Sequence, residues 1–207
     1  MTAWLWSLPR HATARRLDLA AASGATGVSV MLDDGTFAAR RRWEPYTGYQ
    51  IDVLRDAMAR VRAAGLEAGV TLWAQPLGGL AAEWTSKQIE CSTWCLDAEE
   101  PWTRSLDRPT EEDYAAYAGL PGLRVTTILY APKRARELVS RTGGVWVPQC
   151  YGPKQTHTAT SERIRTIEGP VALPLYRELP AMDHVHAERW YWALRHLRSH
   201  HRLDSPR

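Results

Sequence analysis

The run Leu96-Asp97-Ala98-Glu99-Glu100-Pro101-Trp102 sets two acids two residues apart at the end of a short apolar stretch. In an extended strand successive side chains point to opposite faces, so Asp97 and Glu99 share one side and Ala98 faces the other. Two carboxylates held close repel, and one of such a pair is pushed towards the range in which a neutral acid can donate a proton. The same alternation pairs Gln149 with Tyr151 in Pro148-Gln149-Cys150-Tyr151-Gly152, and Trp73 with Gln75 in Trp73-Ala74-Gln75-Pro76. Gathered about one axis, these groups would make a polar site with an aromatic wall. Asp33-Asp34-Gly35 and Tyr176 close two further apolar runs and join the candidates. Two structural uses stay open: Asp-Asp-Gly is a common turn sequence, and Asp97 and Glu99 have Arg104 and Arg108 within reach as ion-pair partners.

Ten tryptophans against one phenylalanine is an unusual ratio, and an indole offers a flat apolar face with an N–H donor, which suits stacking on sugar rings. Trp73 and Trp102, beside the acids, are candidate substrate contacts together with Glu100. Trp146, Trp190 and Trp192 are expected to pack in the core.

The elements that must position these groups alternate between short apolar strands and amphipathic helices, the pattern of parallel strands joined by helical crossovers. Seven strands are predicted, over Ala3–Leu8, Gly27–Leu32, Glu67–Ala74, Thr93–Ala98, Arg124–Tyr130, Val145–Cys150 and Val171–Tyr176. Helices are predicted over Thr13–Ala22, Tyr49–Ala64, Glu111–Gly119 with Thr110 as cap, Lys133–Arg141 and His186–Ser199. The second carries Ile51, Leu54, Met58 and Val61 on one face; the last carries Trp190, Ala193, Leu194 and Leu197. The fold class is α/β, a (β/α) TIM-barrel-like domain spanning residues 1–203, with a C-terminal tail over 204–207. Its eighth strand is irregular or missing, because Arg177–Val185 is polar and broken by Pro180. In such barrels functional groups collect at the carboxyl ends of the strands, where the candidates above lie.

At 207 residues, 44% hydrophobic and 24% charged, the chain is long enough for one well-packed core. The net charge of +3 favours anionic surroundings only mildly, and the arginines form no continuous stripe in the sequence, so no nucleic-acid partner is expected. No run approaches the length of a membrane span, and no basic leader with an apolar core opens the chain. Synthesis in the cytoplasm without a recognisable signal peptide is therefore expected, and a monomer. Cys91, Cys95 and Cys150 are odd in number and form no CxxC pair, which points to reduced thiols. His184, His186, His196, His200 and His201 invite a metal reading, yet no cluster completes a ligand set, and there is no GxGxxG or P-loop; no metal or cofactor is expected.

Leu96-Asp97-Ala98-Glu99 resembles the Asp-x-Glu signature of barrel glycoside hydrolases, the chitinases of family eighteen and the lysozymes of family twenty-five. Gln149-Cys150-Tyr151 resembles the Gln-x-Tyr that chitinase-like barrels set beside the substrate's acetamido group. The resemblance implies Glu99 as general acid, Asp97 as the carboxylate that orients the acetamido group, and Tyr151 as its hydrogen-bond partner. Where chitinases carry a further aspartate this chain has Cys95, and where the lysozymes carry one on the first strand it has Trp4-Leu5-Trp6-Ser7; Asp33 or Asp34 is the candidate replacement. The activity implied is hydrolysis of a β-linked N-acetylated polysaccharide, with peptidoglycan preferred. A wall-acting enzyme without a leader needs another route of release, such as the lysis that accompanies phage growth. The competing readings are a non-catalytic carbohydrate-binding or phage-structural barrel, and a metal-assisted hydrolase.

Overall fold

The computed structural model describes residues 2–31, 48–98, 102, 108–128, 133–150, 169–174, 188–192 and 194–203. Eight parallel strands close into a barrel in sequence order: β1 (Thr2–Ser7), β2 (Gly27–Met31), β3 (Glu67–Trp73), β4 (Trp94–Asp97), β5 (Arg124–Ile128), β6 (Val145–Gln149), β7 (Val171–Pro174) and β8 (Glu188–Trp192). Outside it lie α1 (Ala14–Ala22), α2 (Gly48–Ala63), α3 (Gly79–Gln88), α4 (Glu111–Ala118) and α5 (Lys133–Thr142). The expected α/β barrel is thus present, and its eighth strand closes it by pairing with β1 in the register Trp4 to Trp190.

That strand corrects the helix expected over His186–Ser199. Trp190, Leu194 and Leu197 do have helical spacing, but they are buried in different places. Trp190 lies inside the barrel with Trp4 and Trp6, while Leu194 and Leu197 belong to the shell under the helices. The aromatic run Trp190-Tyr191-Trp192 suits a pleated strand, and only a 3₁₀ turn, Leu194–His196, follows it. Histidines 196, 200 and 201 therefore do not sit at the end of an α-helix. Helix α3, which the sequence reading lacks, begins at Gly78-Gly79; Gly79 is required because a Cβ there would lie 2.6 Å from the Asp113 Cα of α4.

Strand alternation divides the core in two. Ala3, Leu5, Val28, Val30, Val70, Leu72, Leu96 and Val125 face outward under Leu17 of α1, Leu54 and Met58 of α2 and Leu138 of α5. Trp4, Trp6, Cys95, Val147, Ala172 and Trp190 fill the interior. Trp4 stacks on Trp190 with ring centroids 5.2 Å apart and planes 10° apart, and Trp6 tilts against the same ring at 5.3 Å. Below them, at the amino ends of the strands, Arg124 spans the barrel to Glu188 through two hydrogen bonds of 2.7 and 2.9 Å. Trp190 Nε1 also donates to Glu188, at 2.7 Å. Trp146, expected to pack, is 37% exposed at the start of β6.

Room for the Trp4 ring is made by glycine: a Cβ on Gly27 would lie 2.6 Å from it, and one on Gly69 3.0 Å. Gly27→Ala should therefore cost roughly 1–3 kcal/mol, the usual range for overpacking a filled core. Urea unfolding is expected to show this as a lower midpoint with an unchanged m-value, and an unchanged midpoint would mean that the Trp4 ring is not fixed against β2.

Candidate functional site

Asp97 is the last residue of β4 and is 6% exposed. Its neighbour two residues back, Cys95, lies in the interior cluster, so the Asp97 side chain is turned to the barrel axis as the alternation requires. Gln149, the last residue of β6, donates its Nε2 to Asp97 Oδ1 at 3.3 Å across the intervening strand. Two of the expected site residues are thus brought together. On either side of Asp97, in direct register, stand Trp73 of β3 and Thr126 of β5. Both are of inward parity: Thr71 on β3 shares a 2.6 Å hydrogen bond with Ser29 of β2, and Arg124 on β5 reaches across to Glu188. Trp73 Nε1 and Thr126 Oγ1 are enclosed and make no hydrogen bond among the described residues. The result is a carboxylate flanked by an N–H and an O–H that those residues leave unpaired. Thr126 was not among the sequence candidates, since nothing in Arg-Val-Thr-Thr-Ile marks which threonine faces inward until the register is known.

Cys95 lies beneath Asp97. Burial, and then the nearby Asp97 charge, push its thiol far up, outweighing the Trp6 indole, the Thr71 hydroxyl and Arg124, which favour the thiolate. It is a neutral filler, not a nucleophile. None of the three cysteines is in a disulfide.

Gln75 is held by its backbone. The Tyr117 hydroxyl donates to Gln75 O at 3.0 Å and accepts from Gln75 N at 3.2 Å. Just beyond, Asp113 of α4, 3% exposed, accepts from Leu77 N at 2.8 Å, Gly79 N at 2.9 Å and Thr110 N at 2.8 Å. This carboxylate caps its own helix through the Thr110 capping box and also secures the loop after β3, where Leu77 takes the left-handed φ of 66°. Leu77 stays exposed on that loop, as does Leu80 in the first turn of α3.

Trp102 corrects the expectation of a substrate contact. Its ring is fully enclosed edge-on against Tyr114 and Tyr117, and its Nε1 donates to Arg134 O at 3.0 Å. It packs the helix layer, where sequence proximity to the acids counts for nothing. Glu99, Glu100, Tyr151, Asp33, Asp34 and Tyr176 lie outside the described residues, as do Arg104, His184 and His186. Among the described residues no group of three or more His, Cys, Asp or Glu is placed to hold a metal ion, and no helix is long and apolar enough to cross a membrane.

Neither a protein-family model nor a curated protein sequence matches the chain. Solved structures do. A D-psicose 3-epimerase with D-tagatose, from Clostridium cellulolyticum H10, aligns with a TM-score of 0.51 at 9% identity over 93% of this chain and 84% of its own. The YdjI aldolase of Escherichia coli K12 aligns with a TM-score of 0.50 at 14% identity over 92% of this chain and 73% of its own. The protein is therefore a TIM barrel, similar in fold to an epimerase and to an aldolase. The likeness reaches the barrel and not the chitinase or lysozyme families.

Two measurements check this geometry. Asp113→Ala strands three backbone N–H groups and should destabilise the protein by roughly 3 kcal/mol in urea, with Asp113→Asn costing less. A loss equal to that of an ordinary surface substitution would contradict the strap. For Cys95 the folded thiol titrates above the ordinary 9.0, so its contribution is complete below pH 9 and is lost as the pH rises beyond it, where the unfolded chain gives up the proton first. Cys95→Ala should flatten the fall in stability above pH 9; identical slopes for both proteins would refute the buried neutral thiol.

Proposed function

We propose that the barrel is a glycoside hydrolase acting on a β-linked N-acetylated polysaccharide, with peptidoglycan preferred to chitin. The observation that carries the reading is the Asp97 carboxylate at the carboxyl end of β4, held by Gln149 and flanked in register by the donors Trp73 Nε1 and Thr126 Oγ1, unpaired among the described residues. A carboxylate acceptor between N–H and O–H donors complements a ligand that both gives and takes hydrogen bonds, as sugar hydroxyl and acetamido groups do. Trp73, half-buried at the end of its strand, adds an apolar face.

Glu99, two residues past Asp97 in the sequence, is proposed as the general acid, the alternation that sets Asp97 inward being extended to it as part of the proposal. In the proposed reaction protonated Glu99 donates to the glycosidic oxygen. The substrate's acetamido oxygen, oriented by Asp97 and Tyr151, attacks the anomeric carbon, and water then opens the intermediate with Glu99 acting as base. This is the substrate-assisted variant of the two-carboxylate scheme. Gln149 keeps Asp97 aimed and limits its rotation. Gln75, Glu100, Tyr176, Asp33 and Asp34 are proposed as further contacts. The mild basicity of the chain suits an anionic wall polymer. Synthesis in the cytoplasm followed by release through lysis, and action as a monomer, complete the proposal.

The test is incubation of the purified protein with peptidoglycan and with chitin oligomers, reading new reducing ends by mass. Glu99→Gln is expected to lower turnover by about 100-fold or more with substrate affinity retained, the usual scale of losing a general acid. Asp97→Asn should lower it by a comparable factor. Saccharide binding with no turnover in the wild type would favour a carbohydrate-binding barrel, and neither binding nor turnover would end the glycan reading.

A further inference from the structure

The arginines look scattered along the sequence, but closure of β8 on β1 gathers both ends of the chain into one patch. The segment after β1 contributes Arg10 and His11, α1 contributes Arg16, and the turn after β8 contributes Arg195, His196 and Arg198. That turn packs against β1 and α1. Arg10 Nε donates to His11 Nε2 at 3.5 Å, and Arg195 Nε donates to His196 Nε2 at 3.1 Å. Each imidazole therefore accepts from a guanidinium and is held neutral. In keeping with this, His11 is depressed by burial and then by Arg10, Arg16 and Arg195, and His196 by burial and then by Arg195, Arg198 and Arg16. These mutual effects put the cations within each other's field.

Among the described residues Arg16, Arg195 and Arg198 make no ion pair; Arg195 and Arg198 donate only to neutral acceptors there, and both are exposed. Arg15 and Arg16 also stand in the first turn of α1, which has no acidic residue and where a helix favours anions over cations. Like charges gathered at such a place cost stability, so the arrangement is one that folding alone would not select. It lies beyond the carboxyl ends of β1 and β8, the end of the barrel at which Asp97 terminates β4.

We propose that Arg16, Arg195 and Arg198 form a binding site for the anionic groups, carboxylate or phosphate, of the glycan that the barrel takes. The glycan part of this rests on the function proposed above; the anion site does not. A polymer lying across the barrel end would meet Asp97 with its neutral sugar hydroxyls and this patch with its charges. The substrate class is therefore an acidic glycan and not a neutral one.

Calorimetric titration of the wild type and of the double variant Arg16→Gln/Arg195→Gln tests it with three probes: a chitin tetramer, a peptidoglycan tetrasaccharide with free carboxylates, and a glycerophosphate oligomer. The tetrasaccharide is expected to bind the wild type about tenfold more tightly than chitin at about 50 mM salt, with most of the advantage lost by about 200 mM. The double variant should lose that advantage and bind chitin as before. Tighter binding of the tetrasaccharide assigns the patch to carboxylate, and of the glycerophosphate oligomer to phosphate; either supports the site. Equal wild-type affinity for neutral and anionic probes, or an advantage that survives in the double variant, overturns it. If no saccharide binds while glycerophosphate does, and the variant abolishes that binding, the anion site stands and the glycan reading falls.

Discussion

A ring of parallel strands stays closed only if its inner face is filled, and here the filling is an aromatic stack over an ion pair. Trp4 and Trp190 lie face to face on the two strands that complete the ring, and Glu188 takes both the Trp190 N–H and the Arg124 guanidinium from across the barrel. Hydrogen bonding to Glu188 first, and its charge next, hold Arg124 firmly protonated against the burial that opposes it. Offset stacking of this kind is worth about 0.5–1.5 kcal/mol beyond the area it buries. Its larger effect is geometric. With the lower barrel full, each strand's inward row has one phase only, and the groups at the carboxyl ends inherit it.

From that phase follows the site. Trp73, Asp97 and Thr126 occupy one register level on three adjacent strands, and Gln149 reaches the same carboxylate from a fourth. The filled, water-excluding interior beneath explains why the Cys95 thiol stays protonated and why a polar group placed above it must find partners or a ligand. Outside the barrel, Asp113 and Tyr117 of α4 tie down the loop that follows Trp73, so the helix layer fixes the rim as well as the core.

Seven strands were legible because each is a bounded apolar run, and their inward parity at Asp97 follows from the two-residue period alone. The eighth was hidden by coincidence: Trp190, Leu194 and Leu197 imitate a helical stripe while serving the two separate layers of the core. Helix α3 was masked by the glycine pair that its contact with Asp113 demands. Trp102 was misjudged because nearness in sequence to Asp97 says nothing of which side of the barrel wall an indole takes after the strand ends. The pairing of Arg124 with Glu188, and the meeting of Arg10 and Arg16 with Arg195, depend on closure between distant segments and leave no local pattern to read.

The central claim is that the inward Asp97 level at the carboxyl end is where ligand binds, and a crystal structure of the protein soaked with an N-acetylated oligosaccharide tests it most directly. The account requires sugar oxygens or an acetamido group within hydrogen-bond distance of Asp97, with Trp73 Nε1 or Thr126 Oγ1 donating to the same residue of the glycan. Density for the saccharide elsewhere, with Asp97 engaged only by protein groups, would contradict it.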